Sequence, residues 1–160
     1  MVKFLTTALS LAGLATLIAA NPAVAVPTTI TVEQLCAQEV QTAITTIETG
    51  RSAIVTYWTT YEFNESSFTD YPPEAPVGLW LRIDGPAADS VMVSPQFLKA
   101  LSAELIQTCN GLSSVTFNRD HTGWTEVFGL VNGEVRQFDC VGDDYNWVDP
   151  LPWGQMICGL

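Results

Sequence analysis

Four cysteines, Cys36, Cys109, Cys140 and Cys158, constrain this chain more than any other feature. All four follow an N-terminal stretch laid out as a secretory leader. Lys3 is a short positive region and Phe4 to Ala20 an apolar run. Pro22 interrupts helix, and Ala23-Val24-Ala25 offers the small residues a signal peptidase accepts. The apolar run is broken by three threonines and a serine and falls short of the roughly 20 apolar residues a membrane span needs. The reading is therefore a cleaved signal peptide over 1–25 and a single globular domain over 26–160, secreted or periplasmic, with no membrane anchor after cleavage. An even number of cysteines in an exported chain implies disulfides. The metal alternative is poor, because no CxxC or CxxH spacing occurs.

Which cysteines pair follows from the elements that carry them. Thr31-Val-Glu-Gln34 fits a capping box, and Cys36, Val40, Ala43 and Ile47 then recur at helical steps, with Leu35 and Ile44 widening the stripe. This predicts a helix over roughly 32–48, closed by Gly50. A second helix starts at Ser94-Pro95, with serine as N-cap and proline where a missing N–H costs nothing. Its stripe is Leu98, Leu101, Leu105 and Cys109. Two helices packed antiparallel on one sheet face bring Cys36, near the start of the first, to Cys109, at the end of the second. Cys140 and Cys158 are left to fasten the tail to the last strand.

Between and after the helices the chain reads as strands. Ala53 to Phe63 is rich in β-branched and aromatic residues, and Leu79 to Ile83 returns as a second strand. Ser114–Asn118, Trp124–Val131 and Glu134–Val141 form a meander. Asn132-Gly133 between the last two is a strong type I′ hairpin signal, because both central positions of that turn need positive φ. The order α-β-β-α-β-β-β predicts an α+β domain: two helices on a largely antiparallel sheet of about five strands, stapled by disulfides. Carried down its whole length, the two-residue turn sets Glu126 opposite Asp139. Both faces of this hairpin are partly apolar, which places it centrally or puts the tail over its second face.

The charge balance narrows the partners. The chain has 17 acidic residues against 6 basic, a net charge of −11, and cleavage at Ala25 removes Lys3 as well. No cationic patch exists to displace counterions from nucleic acid, so nucleic acid is excluded as a partner. A protein or a carbohydrate remains. No cofactor or metal motif is present. Asp139, Asp143, Asp144 and Asp149 do not follow the spacing of a calcium loop.

Few residues offer chemistry. His121, the chain's one histidine, stands beside Asp120 and is a candidate general base or metal ligand. No Gly-x-Ser-x-Gly elbow accompanies it, and Arg119-Asp-His-Thr-Gly123 has the composition of a turn. Glu126 and Asp139, if opposed, resemble the carboxylate pair used in glycoside hydrolysis, although hydrated carboxylates on an exposed edge account for them as simply. Trp147 and Trp153 in the tail are candidate binding aromatics. The leading expectation is a non-catalytic binding or interaction protein. The alternative is a small hydrolase of envelope or extracellular polymers that uses Glu126 and Asp139 with His121 nearby.

Overall fold

The structure, a computed structural model, describes residues 32–142 and 149–158. The leader, the Thr31 cap, Asp143, Asp144 and Trp147 lie outside the described residues. In chain order the elements are α1 (Val32–Glu48), β1 (Ile54–Glu62), β2 (Phe68–Thr69), β3 (Val77–Asp84), α2 (Ala88–Met92) and α3 (Pro95–Thr108). They continue as β4 (Leu112–Arg119), β5 (Thr125–Val131), β6 (Glu134–Gln137), β7 (Asp139–Cys140), β8 (Leu151–Pro152) and β9 (Gln155–Met156). The fold is α+β, with a five-stranded sheet in the order β1-β3-β4-β5-β6.

Three of the four strand neighbours are antiparallel, and β3 and β4 are parallel. The parallel pair follows from connectivity: α2 and α3 carry the chain back across one face before β4 begins, and parallel neighbours need such a crossover. The buried alternate residues of β3, Val77, Leu79, Leu81 and Ile83, face the helices. Val40 and Ile47 of α1, Leu98 and Leu105 of α3, and Val115, Phe117 and Phe128 complete that core. Cys36 and Cys109 meet there, both almost fully buried, with Cα atoms 5.3 Å apart. Cys140 and Cys158 form the second disulfide. Among the described residues no helix is long and apolar enough to cross a membrane.

Ser94 occupies the N-cap of α3, but its hydroxyl donates back to the Ser90 carbonyl instead of capping the helix. The short α2 immediately before it supplies that acceptor, and competition of this kind is typical of serine near helix ends.

The tail covers the opposite face of the sheet. Trp153 stacks edge-on against Phe63, Phe68 and Phe138, and its indole N–H donates to the Leu130 carbonyl at 2.8 Å. Phe138 lies directly over Gly129: a Cβ built there would stand 2.5 Å from the phenylalanine ring and 3.1 Å from the Ser113 carbonyl oxygen. Since the ring is held by Phe68 and Trp153, it has nowhere to retreat. Gly129→Ala should therefore lower stability by about 1–3 kcal/mol, the usual range for overpacking. Chemical denaturation checks this, and an unchanged midpoint would show that the aromatic cluster is loose.

The hairpin begins as its turn demands. Asn132 and Gly133 have φ of 52° and 81°, and Val131 pairs with Glu134, Leu130 with Val135, Gly129 with Arg136 and Phe128 with Gln137. One further bond follows, from the Phe138 N–H to the Val127 carbonyl. There the ladder stops. The Asp139 N–H donates to the Gly154 carbonyl and the Val141 N–H to that of Met156, so Asp139 and Cys140 pair in parallel with Gln155 and Met156. Glu126 is therefore not opposite Asp139; its neighbour across the ladder is Phe117 of β4. Extrapolation from the turn fails because the tail, tied to Cys140 through Cys158, takes over the backbone groups that β5 would have used.

Candidate functional site

The departure of β7 from the hairpin opens a cleft of about 480 Å³. Trp124 and Glu126, at the start of β5, line one side. Gln137, Phe138, Met156 and the Cys140–Cys158 disulfide line the other. Glu126 is fixed from both sides of the opening. The Trp124 indole N–H donates to one carboxylate oxygen at 2.8 Å, and the Gln137 amide N–H to the other at 2.5 Å. Local sequence explains this arrangement. Trp124 and Glu126 are two apart and share a strand face, while Gln137, opposite Phe128, is the diagonal neighbour of Glu126 on that same face.

The other sequence candidates are dispersed. Asp139 is exposed, pairs with Gln155 and does not line the cleft. Trp153 is committed to the aromatic cluster over the sheet. His121 also does not line the cleft. It sits in the β4–β5 turn with φ of 59° and a side chain 84% exposed, its ring 3.9 Å from Asp120.

Around that turn lies an ion-pair network at the ends of β3 and β4. Arg119 donates to Asp84 at 2.6 Å and to Asp89 at 2.8 Å. Asp120 accepts from the Thr56 hydroxyl at 2.8 Å and from the His121 backbone N–H at 2.9 Å, and Arg82 stands 3.7 Å away. The Gly85 backbone N–H, helped by Arg119, holds the Asp84 carboxyl below the usual carboxylate range. The Thr56 hydroxyl and the His121 N–H do the same for Asp120 against the opposing effect of burial. Asp89 and Asp84 push Arg119 up. Asp84, Asp120 and His121 offer ligand atoms within 4.8 Å of one another. Arg119 and Arg82 already bring to those carboxylates the positive charge that a cation would supply.

Both aspartates have folded values below their unfolded ones, so their contribution is present above about pH 4 and is lost as pH falls through the lower, folded values. Asp84→Asn should flatten that acid limb while leaving the shape of the profile above pH 5 unchanged. Urea unfolding repeated across the acid range checks this, and an unaltered slope would remove the network from the acid response.

Comparison with protein-family models, with curated proteins and with solved structures gives no match.

Sequence reasoning passed over Gln137 and the joint role of Trp124 with Glu126. The available signal was the hairpin register itself, which already placed Glu126 and Gln137 on one strand face.

Proposed function

We propose that this chain is an exported, non-catalytic binding domain whose ligand seats in the cleft between the start of β5 and the tail. The observation that carries this reading is the convergence of Trp124, Glu126 and Gln137 on one concave site of about 480 Å³. That volume is in the range of small-ligand sites, which typically combine an apolar lining with a few fixed polar groups. The disulfide in the wall supports rigidity, and rigid walls reduce the ordering cost of binding. Export rests on the leader-like N-terminus, the two disulfides and the acidic composition.

The alternative, a hydrolase of extracellular polymers, keeps Glu126 in the cleft but has Asp139 turned to β9. A carboxylate-pair mechanism would need Asp139 to swing back across the opening, breaking its backbone bond to Gly154.

Co-purification from the native periplasm or culture medium separates the readings. Trp124→Ala takes away one wall of the cleft and one of the two hydrogen bonds to Glu126. The binding reading expects a partner retained by the natural chain and lost by this variant, with no turnover of the captured material. Capture that is indifferent to Trp124→Ala would place the interaction elsewhere. Turnover abolished by Asp139→Asn would establish the hydrolase.

A further inference from the structure

The chemical class of the ligand can be argued from how the cleft is charged, on the footing that the cleft is the binding site. Glu126 is hydrogen-bonded but not neutralised. Both of its donors, the Trp124 indole and the Gln137 amide, are uncharged. Among the described residues no arginine, lysine or histidine pairs with it. The only charged side chain lining the cleft among the described residues is Glu126, and after Arg136 the sequence has no basic residue, while Asp139, Asp143, Asp144 and Asp149 all follow. Each carboxylate oxygen accepts two hydrogen bonds, so one donor on each leaves further acceptor capacity at the cleft.

Beside this carboxylate stands Trp124, whose ring is electron-rich on its face and attracts cations. The same chain builds such a site internally. Arg82 lies 5.5 Å from the Tyr57 ring centre and 5.6 Å from that of Trp80, with Asp120 at 3.7 Å. Aromatic rings with an adjacent carboxylate hold a guanidinium there, and the cleft sets a tryptophan beside a carboxylate with no basic side chain among its described lining residues.

A neutral sugar fits less well. The Trp124 N–H, an obvious donor for a hydroxyl, is already engaged by Glu126, as is an N–H of Gln137. What the cleft presents is acceptor capacity and apolar surface.

We propose that the cleft takes an alkylammonium or guanidinium group, with the cation on Glu126 and Trp124 and its aliphatic stem against Met156. The net charge of −11 favours the encounter at long range, so association slows as salt is added.

The test is a titration of the oxidised, ¹⁵N-labelled protein, following the Trp124 indole and Gln137 side-chain amide signals. The probes are n-butylammonium, N-acetyl-lysine amide and N-acetyl-arginine amide. The neutral controls are n-butanol, N-acetyl-norleucine amide and a methyl glucoside. The cations should move both signals, and binding should weaken by about tenfold or more in Glu126→Gln, the scale of a hydrogen bond to a charged group. The neutral controls should leave both signals in place. Binding of n-butylammonium alone would mark a free amine as sufficient. A requirement for the amide-flanked probes would mark a lysine or arginine side chain of a protein partner. Equal binding of cations and their neutral counterparts would overturn the proposal without any variant, as would unchanged affinity in Glu126→Gln. If only the glucoside moves the signals, the cleft remains a binding site and the cationic class is wrong. If no probe moves them, both readings fall.

Discussion

Replacing both Cys36 and Cys109 with alanine should lower the stability of the oxidised protein by about 4 kcal/mol. The two residues are 73 apart in sequence, so their bond closes a long loop in the unfolded chain, and the entropic gain from a cross-link grows with that length. The bond also ties the early part of α1 to the C-terminal cap of α3 inside the core, with both cysteines almost fully buried. The substitution therefore leaves a gap between helices as well as a freer unfolded state. The second disulfide behaves differently. Cys140 and Cys158 are only 18 apart, and their bond holds a tail whose pairing to the main body is brief. Its removal should loosen β9 and the cleft before it affects the core. Urea unfolding followed by tryptophan fluorescence measures both. A loss below about 1 kcal/mol for the Cys36/Cys109 variant would mean that the helices are held mainly by packing.

A comparable loss, about 3–5 kcal/mol, is expected for Phe117→Ala. Phe117 has no exposed surface and sits on β4, the middle strand of the sheet, between its parallel neighbour β3 and its antiparallel neighbour β5. Its ring meets that of Phe128 edge-to-face, with centres 6.2 Å apart and planes at 74°. Truncation removes the transfer gain of the ring, leaves a cavity that strands on both sides prevent from collapsing, and deletes an aromatic pair. Part of the loss should accordingly be shared with Phe128→Ala. The double variant should be less unstable than the two single losses added together, by about 0.5–1.5 kcal/mol. Strict additivity, or a loss under about 1 kcal/mol for Phe117→Ala, would show that this ring does not organise the core.

Much of the fold was legible because it depends on short-range periodicity. The stripe Cys36, Val40, Ala43, Ile47 placed α1 over 32–48, and Asn132-Gly133 set the hairpin register correctly as far as Phe128 and Gln137. The disulfide pairing followed from the antiparallel helices. What the sequence hid depends on competition between distant segments. Nothing within Glu134–Val141 signals that the ladder ends at Phe138, since the alternation of side chains continues through Cys140. The break comes from Gly154 and Met156, whose carbonyls accept the N–H groups of Asp139 and Val141. The tail that supplies them has no strand periodicity to advertise it. The parallel β3–β4 pair was hidden for a related reason: the buried alternation of β3 is the same for either direction of its neighbour.

The site was half legible on the same grounds. Glu126 was singled out, but for a partner it does not have. Its actual neighbours, Trp124 and Gln137, follow from face and register once the ladder is known to open. His121 and Asp120 were correctly seen as adjacent, yet adjacency in a turn with His121 at positive φ leaves the imidazole in solvent, 3.9 Å from the carboxylate.

The tail takes Asp139 away from Glu126 and so opens the cleft. Proton–proton contacts across the backbone of the oxidised protein, measured by NMR, test this most directly. Parallel pairing of β7 with β9 predicts close contacts from Asp139 and Cys140 to Gln155 and Met156, and slow amide exchange at Asp139 and Val141. It also predicts no contact between the α-protons of Glu126 and Asp139. A strong contact between those two α-protons would mean that the hairpin runs on unbroken, that the carboxylates face each other, and that the cleft does not exist.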